Sequence, residues 1–230
     1  NLHKNSGKFE AGGVALDFQK ETIVMGILNI TPDSFSDGGK FNKIETAVAR
    51  AKQMVADGAK IIDIGGESTR PGYTRISDDE EIARVVPVIQ AIRAEVNTVI
   101  SIDTYKSAVA KAAVLAGAHV INDIWGAKRD PEIAKVAADH GVPIILMHNR
   151  DNEEYTDFWS EAKQDLEESI QITKAAGVPD EHIWLDPGIG FAKSTTQNIW
   201  MIQHLSDLVE MGYPVLLATS RKRLIGNVLN

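Results

Sequence analysis

Seven apolar runs in this chain are each followed by residues able to donate or accept hydrogen bonds. These residues are Asn29, Gly65-Gly66-Glu67, Asp103, Asn122-Asp123, His148, Asp186 and Ser220-Arg221-Lys222. Asp and Asn cap helices routinely, so one instance alone would read as structural. Seven in succession read as a site. Asp103, Asn122 and Asp186 offer carboxylate and amide oxygens that suit a flat, donor-rich heterocycle, such as an aminopyrimidine edge. Lys222 can donate to the same ring and keeps buried carboxylates from standing uncompensated. Arg70, Arg221 and Lys222 make a local positive group of the kind an anionic substrate requires. The plain structural readings are solvated loop charges for Arg70 and Arg221 and a salt bridge for Lys222. Such a group has to be local, because 24 Lys and Arg against 32 Asp and Glu give a net charge of −8. A surface of that sign repels nucleic acid and anionic lipid.

The elements that must position these residues follow from hydrophobic period and punctuation. Amphipathic segments end at Gly58, Gly117, Gly141, Gly177 and Gly212, where a helix C-terminus favours a left-handed residue. One helix leaves through Val96-Asn97, with Asn97 in that role. Two residues after each glycine, a β-branched run begins. The predicted strands are 23–28, 60–65, 98–103, 119–123, 143–147, 182–186 and 214–219. They are short, apolar and barely alternating, as strands buried on both faces are. Helical spacing recurs in Ile44, Ala47, Val48, Ala51 and Val55, in Trp159, Ala162, Leu166 and Ile170, and in Ile199, Ile202, Leu205 and Val209. Pro87 predicts a kink or break in the helix over 79–95.

Strand and helix in alternation imply parallel strands with right-handed crossovers. The fold class is α/β, a (β/α)8 TIM barrel with seven strands visible, and active sites of such barrels lie at the C-terminal strand ends. A doubly wound open sheet is the competing architecture, but Gly26-Ile27-Leu28-Asn29 is no dinucleotide turn. Residues 1–230 read as one domain, 43% hydrophobic and 24% charged, with no linker. There is no apolar run of bilayer length, and the start, Asn1 to Gly13, lacks a signal-peptide layout. With no Cys, disulfides and thiolate metal sites are excluded, and a cytoplasmic location is the default expectation. The loops Thr31–Gly39 and Glu67–Gly72 are long and polar, which suits mobile active-site covers better than tight barrel turns.

Several stretches resemble the dihydropteroate synthase family of the folate pathway. They are Met25–Gly39, Asp63–Gly72, Ser101–Thr104, Ile121–Asp123, Leu146–His148, Asp186–Phe191 and Thr219–Arg223, in the family's order across nearly the whole chain. The resemblance implies condensation of 6-hydroxymethyl-7,8-dihydropterin diphosphate with p-aminobenzoate, giving 7,8-dihydropteroate and diphosphate. It implies that Asp103, Asn122, Asp186 and Lys222 hold the pterin ring, with Ile124, Met147 and Phe191 packed against it. Asn29 would bind Mg²⁺ with the diphosphate. Phe35, Thr69, Arg70, Pro71 and Ser220 would surround p-aminobenzoate, and Asp37 would sit near the reacting carbon. Asp37, Arg70 and Lys222 are thus the catalytic candidates. Sulfonamides are the implied inhibitors and a homodimer the implied assembly. No general-base histidine is assigned, and His148 is as well explained by a structural role.

The family's chain continues beyond the last matching motif with a helix, an eighth strand carrying an Arg-x-His diphosphate grip, and a last helix. The resemblance therefore implies a barrel lacking its last helix-strand-helix here, with the C-terminal part missing from the sequence. Two other functions compete. A methyltetrahydrofolate-corrinoid methyltransferase shares the ring-binding carboxylates, but its reaction needs neither the Thr31–Gly39 nor the Thr69–Gly72 loop. A non-catalytic pterin-binding fragment would bind without turnover.

Overall fold

The computed structural model describes residues 4–30, 40–67, 75–218 and 223–226, of which 40–42 and 218 are described for the backbone alone. Its centre is a closed barrel in the order β10-β3-β4-β5-β6-β7-β8-β9. The strands are β3 (Ile23–Asn29), β4 (Ala59–Gly65), β5 (Val99–Asp103), β6 (Val120–Asp123), β7 (Ile144–Met147), β8 (Ile183–Asp186), β9 (Val215–Ala218) and β10 (Arg223–Gly226). All seven predicted strands are present, within a residue or so at either end. Neighbours from β3 to β9 pair in parallel. The place expected to stand open is filled by β10, which runs antiparallel to both β3 and β9.

Between the parallel strands lie α1 (Lys40–Ala56), α2 (Asp78–Glu95), α3 (Ser107–Ala116), α4 (Glu132–His140), α5 (Phe158–Ala175), α6 (Thr195–Gln203) and α7 (Leu205–Val209). The glycines at 58, 117, 141, 177 and 212 all have positive φ, between 63° and 125°. Asn97 departs from expectation: α2 leaves instead through Val96 in extended conformation, φ −128°. That exit releases the chain straight into β5 without a left-handed residue. Pro87 lies inside α2, and the helix continues through it unbroken. The buried face of α2, with Val85, Val88, Ile89 and Ile92, holds the helix to the barrel on both sides of the proline. Among the described residues no helix is long and apolar enough to cross a membrane.

Strand alternation divides the hydrophobic residues into two cores. The outer core lies between strands and helices and includes Ile62, Ile64, Ile100, Ile102, Ile121, Ile144, Leu146, Ile183, Leu185 and Val215. The inner core fills the barrel with Ile23, Met25, Ile61, Val99, Val120, Ile145, Trp184, Leu216 and Ile225. An N-terminal hairpin absent from the sequence reading, β1 (Lys8–Ala11) with β2 (Val14–Asp17), joins that inner core through Leu16 and Phe18. Phe18 meets Trp184 edge-on at 4.9 Å between ring centroids, and Phe9 meets it at 5.6 Å. The hairpin turns at Gly12, φ 59°, where a Cβ would stand 2.1 Å from the Thr98 carbonyl oxygen. Only glycine permits that approach. The four-residue strands hid from the sequence reading because they are half-exposed and flanked by polar residues.

This hairpin is a floor that closes the N-terminal end of the barrel and leaves the other end as the mouth. Trp184, 1% exposed, is its central contact. Trp184→Ala is expected to destabilise the fold by about 3–5 kcal/mol, read as a lowered urea midpoint. A midpoint within 0.5 kcal/mol equivalent of the wild type, on the order of a surface substitution, would remove the hairpin's role as floor.

Candidate active site

From β4 to β8, the residue two positions beyond the inner-core side chain on the same strand face is polar on every strand but β7, where it is Met147. Ile61 is followed on that face by Asp63, Val99 by Ser101 and then Asp103, Val120 by Asn122, Ile145 by Met147, and Trp184 by Asp186. The period of two places all of them inside the barrel near the mouth. Asp103 lies opposite Asn122 in register, and Met147 opposite Asp186. Three of the four residues expected to hold the ring, Asp103, Asn122 and Asp186, are thus brought to one face of one mouth, and the fourth, Lys222, lies outside the described residues.

Hydrogen bonds tie this polar layer together. Asp63, 1% exposed, accepts from the Ser101 hydroxyl at 2.5 Å and from the Asn122 amide at 3.3 Å. Because the Asn122 amide nitrogen faces Asp63, its oxygen is left buried without a partner among the described residues. A buried acceptor without a donor is an uncommon feature, and one that a ligand's N–H would satisfy. Burial pushes Asp63 up, opposed by Arg223, Ser101 and Asn122. Burial, then the neighbouring Asp63, holds Asp103 well above the usual carboxylate range. Burial also raises Asp186, against the pull of Arg223, the Gly188 N–H and Lys193. Desolvated carboxylates facing one another resist ionisation, so a donor-rich partner is favoured in the mouth.

Around the layer, Met147 and Ile124 are buried and Phe191 is half-buried. Asn29 ends β3 on the inward side and is exposed. Phe35, Asp37, Thr69, Arg70, Pro71, Ser220, Arg221 and Lys222 lie outside the described residues. Among those described, the positive charge nearest the layer is Arg223, whose Nη1 lies 3.9 Å from Asp63. Asp63, Ser101 and Arg223 were not singled out from the sequence. For Asp63 and Ser101 the signal is the inward parity they share with Ile61 and Val99, whereas Arg223 lies on β10, beyond the predicted strands.

Three strand-end residues serve the structure instead. Asp123 has the outward parity of Ile121 and accepts from the Trp125 and Ala127 N–H groups at 2.8 and 2.9 Å. Glu67 is held by Lys106 at 2.8 Å and by the Tyr105 hydroxyl at 3.2 Å, and Lys106 also binds Glu81 at 2.8 Å. His148 meets Asp165 through Nε2 at 2.9 Å. Asp165 also accepts from Arg150 at 2.7 Å and is held down to about 2, so it only accepts, and His148 Nε2 carries the proton. That leaves His148 Nδ1 buried and unpartnered among the described residues.

Comparison with known proteins now bears on this geometry. The family profile described as "Pterin binding enzyme" matches residues 25–230. The dihydropteroate synthase of Bacillus subtilis (strain 168) is 57% identical over 216 residues, 94% of this chain and 76% of that protein. The chain belongs to the dihydropteroate synthase family of pterin-binding enzymes. Two solved dihydropteroate synthases share the fold. That of Clostridium difficile, determined in the presence of pteroic acid, superposes with a TM-score of 0.86 at 47% identity, covering 89% of this chain and 78% of that one. That of Xanthomonas albilineans, with 4-aminobenzoic acid, gives 0.84 at 41% identity, covering 92% and 77%. The family fold is the (β/α)8 barrel read from the sequence.

The His148 environment sets a pH dependence of stability. Burial lowers its pKa from 6.5 to about 4. Between those values the unfolded chain binds a proton that the folded chain does not, so stability falls as pH falls from 6.5 to about 4. The loss is about 3 kcal/mol for a shift of this size. His148→Gln keeps a donor for Asp165 and removes the titration. The variant's urea midpoint should therefore change less between pH 7 and pH 4.5 than the wild type's. Parallel changes in both proteins would exclude His148 as the source.

Proposed function

We propose that the protein condenses 6-hydroxymethyl-7,8-dihydropterin diphosphate with p-aminobenzoate to form 7,8-dihydropteroate and diphosphate. The observation that carries this reading is the convergence of Asp103, Asn122 and Asp186 on the inner face of one mouth, with the Asn122 amide oxygen unpartnered among the described residues. The aminopyrimidine edge of a pterin supplies the N–H donors that these acceptors lack. Met147 and Ile124 are the buried apolar groups available to its faces, and the half-buried Phe191 stands at the edge of the turn after β8.

In the reaction, the bond between the pterin methylene carbon and the diphosphate oxygen breaks, and that oxygen keeps the electron pair. A bond forms from the same carbon to the aryl amine nitrogen, which releases a proton. The leaving group departs well once its charge is neutralised, so the residues' task is placement rather than strong base catalysis. The buried carboxylates hold the ring and stabilise the positive charge that develops on it. The family resemblance gives Asp37 a place near the reacting carbon. It gives Lys222 a share in the ring, and Phe35, Thr69, Arg70, Pro71 and Ser220 the p-aminobenzoate site.

Asn29 would hold Mg²⁺ through its amide oxygen, and the ion would neutralise the diphosphate. The residues fit that role. Asn29 is an exposed oxygen donor at the mouth. The described residues contain no cluster of His, Cys, Asp and Glu able to hold a metal unaided, and Mg²⁺ commonly takes its further ligands from water and substrate phosphates. A homodimer belongs to the same reading through the resemblance, and a cytoplasmic location fits the absence of Cys.

The direct test is diphosphate release from the dihydropterin diphosphate, with and without p-aminobenzoate, in the presence of Mg²⁺. Release that requires p-aminobenzoate is expected, and binding of the pterin without any release would overturn the proposed reaction. Asp186→Asn replaces an acceptor with a donor facing the ring's N–H groups. It should weaken 6-hydroxymethylpterin binding about 100-fold, on the scale of a lost charged hydrogen bond. Unchanged affinity by calorimetry would remove Asp186 from the ring site. Sulfonamides should raise the apparent KM for p-aminobenzoate without changing kcat, and a purely noncompetitive pattern would contradict a shared p-aminobenzoate pocket.

A further inference from the structure

One buried ammonium group has no part in the chemistry above. Lys193 follows the turn after β8 and is 6% exposed. Its Nζ donates to the carbonyl oxygens of Phe191 at 2.7 Å, Gly188 at 2.9 Å and His148 at 3.5 Å. No carboxylate among the described residues forms an ion pair with it. A lysine so placed costs the fold free energy unless something else is gained, since burial strips its water and the carbonyls return only part of the loss.

Two of these carbonyls, Gly188 and Phe191, belong to the segment that carries Asp186, and the third, His148, follows β7 beside it. The Gly188 N–H donates to the Asp186 carboxylate at 2.8 Å, and the His148 N–H donates to the Asp186 carbonyl at 2.8 Å. Gly188 has φ 67°, and a Cβ there would stand 2.0 Å from the His148 carbonyl oxygen. The Phe191 N–H closes the turn onto the Gly188 carbonyl at 3.0 Å. The segment from Asp186 to Phe191 is therefore wrapped around the ammonium, with the carboxylate on its far side facing the mouth.

We propose that Lys193 is a positioning residue for the ring-binding carboxylate: its ammonium, gripped by the carbonyls of His148, Gly188 and Phe191, fixes the turn and supplies Asp186 with a counter-charge from behind. The charged groups acting on Asp186 are Arg223 of β10, Asp63 of β4 and Lys193 itself. Those acting on Lys193 are Asp186, Asp165 of α5 and Arg150. His148, packed against the same turn, stays neutral above about 4. Burial brings Lys193 down to about 7. The ammonium is therefore present on the acid side of neutrality, where burial most opposes ionisation of Asp186, and is lost as the pH rises.

The ligand-binding arm of the proposal rests on the reading of the mouth as a pterin site, whereas its electrostatic arm does not. The test follows the Asp186 carboxyl carbon by NMR in full-length protein labelled with 13C-aspartate, assigned with Asp186→Asn. Wild type, Lys193→Met and Lys193→Gln are compared. Removing the ammonium should raise the Asp186 titration midpoint by about 0.5–1 unit, the lower end of what an opposite charge does. The 6-hydroxymethylpterin Kd at pH 6.5 should rise up to about tenfold, since one unit corresponds to a factor of ten. Lys193→Gln keeps donors for the carbonyls but not the charge, so it should show the raised midpoint with a thermal midpoint nearer to wild type. If Lys193→Met does not fold, the Gln variant decides alone. An Asp186 midpoint identical in all folded proteins overturns the proposal, as does full recovery of midpoint and affinity in Lys193→Gln. A wild type that fails to bind 6-hydroxymethylpterin sinks the pterin reading, while the carboxyl titration still judges Lys193.

Discussion

The site depends on keeping acidic groups dry. Asp63, Asp103 and Asp186 project into the interior of a barrel whose lower layer is aliphatic and aromatic, and burial raises the pKa of all three. Removed from water, a carboxylate is tolerated only where hydrogen bonds or opposite charge compensate it. Each has a different arrangement. Asp63 receives Ser101 and Asn122, Asp186 receives the Gly188 N–H, and Arg223 acts on all three. What these arrangements leave unmet, above all the Asn122 oxygen, is what the mouth offers to a ligand.

The barrel makes such a layer sustainable. Every parallel strand from β4 to β8 places an inner-core residue at one height and, two positions later, a residue of the mouth. Ile61 with Asp63, Val120 with Asn122 and Trp184 with Asp186 are three such pairs. The aliphatic residue anchors the strand and the polar one is carried to its place by the rigid backbone between them. The helices outside contribute no side chain to the layer. They hold the outward parity, with Ile62, Ile121 and Leu185, against solvent.

Most of this architecture was legible in the sequence. The glycine punctuation and the β-branched runs gave seven strands, and the run of polar strand ends gave the mouth. The shortfalls have physical causes. Asp123 was grouped with Asn122 because strand ends were read as points, whereas a strand has two faces and a shift of one residue moves a side chain through the wall. The same parity would have found Asp63 and Ser101. The hairpin of β1 and β2 was missed because four-residue strands on the outside of a core carry almost no periodic signal. Asn97 was given a helix-ending role that extended Val96 makes unnecessary. Lys193 left no trace in the pattern, since nothing local distinguishes a lysine that turns inward onto carbonyls from one in solvent.

The hairpin beneath the barrel has a further consequence. With Phe9 and Phe18 packed edge-on against Trp184 across the N-terminal end, the described residues close that end of the interior and leave the mouth as the way to the carboxylates. A flat ring seated on Asp186 and Asn122 would act as a stopper. Below it, Asp63 and Ser101 would be cut off from bulk solvent for as long as the ring stays, fixed in whatever protonation state they held when it arrived.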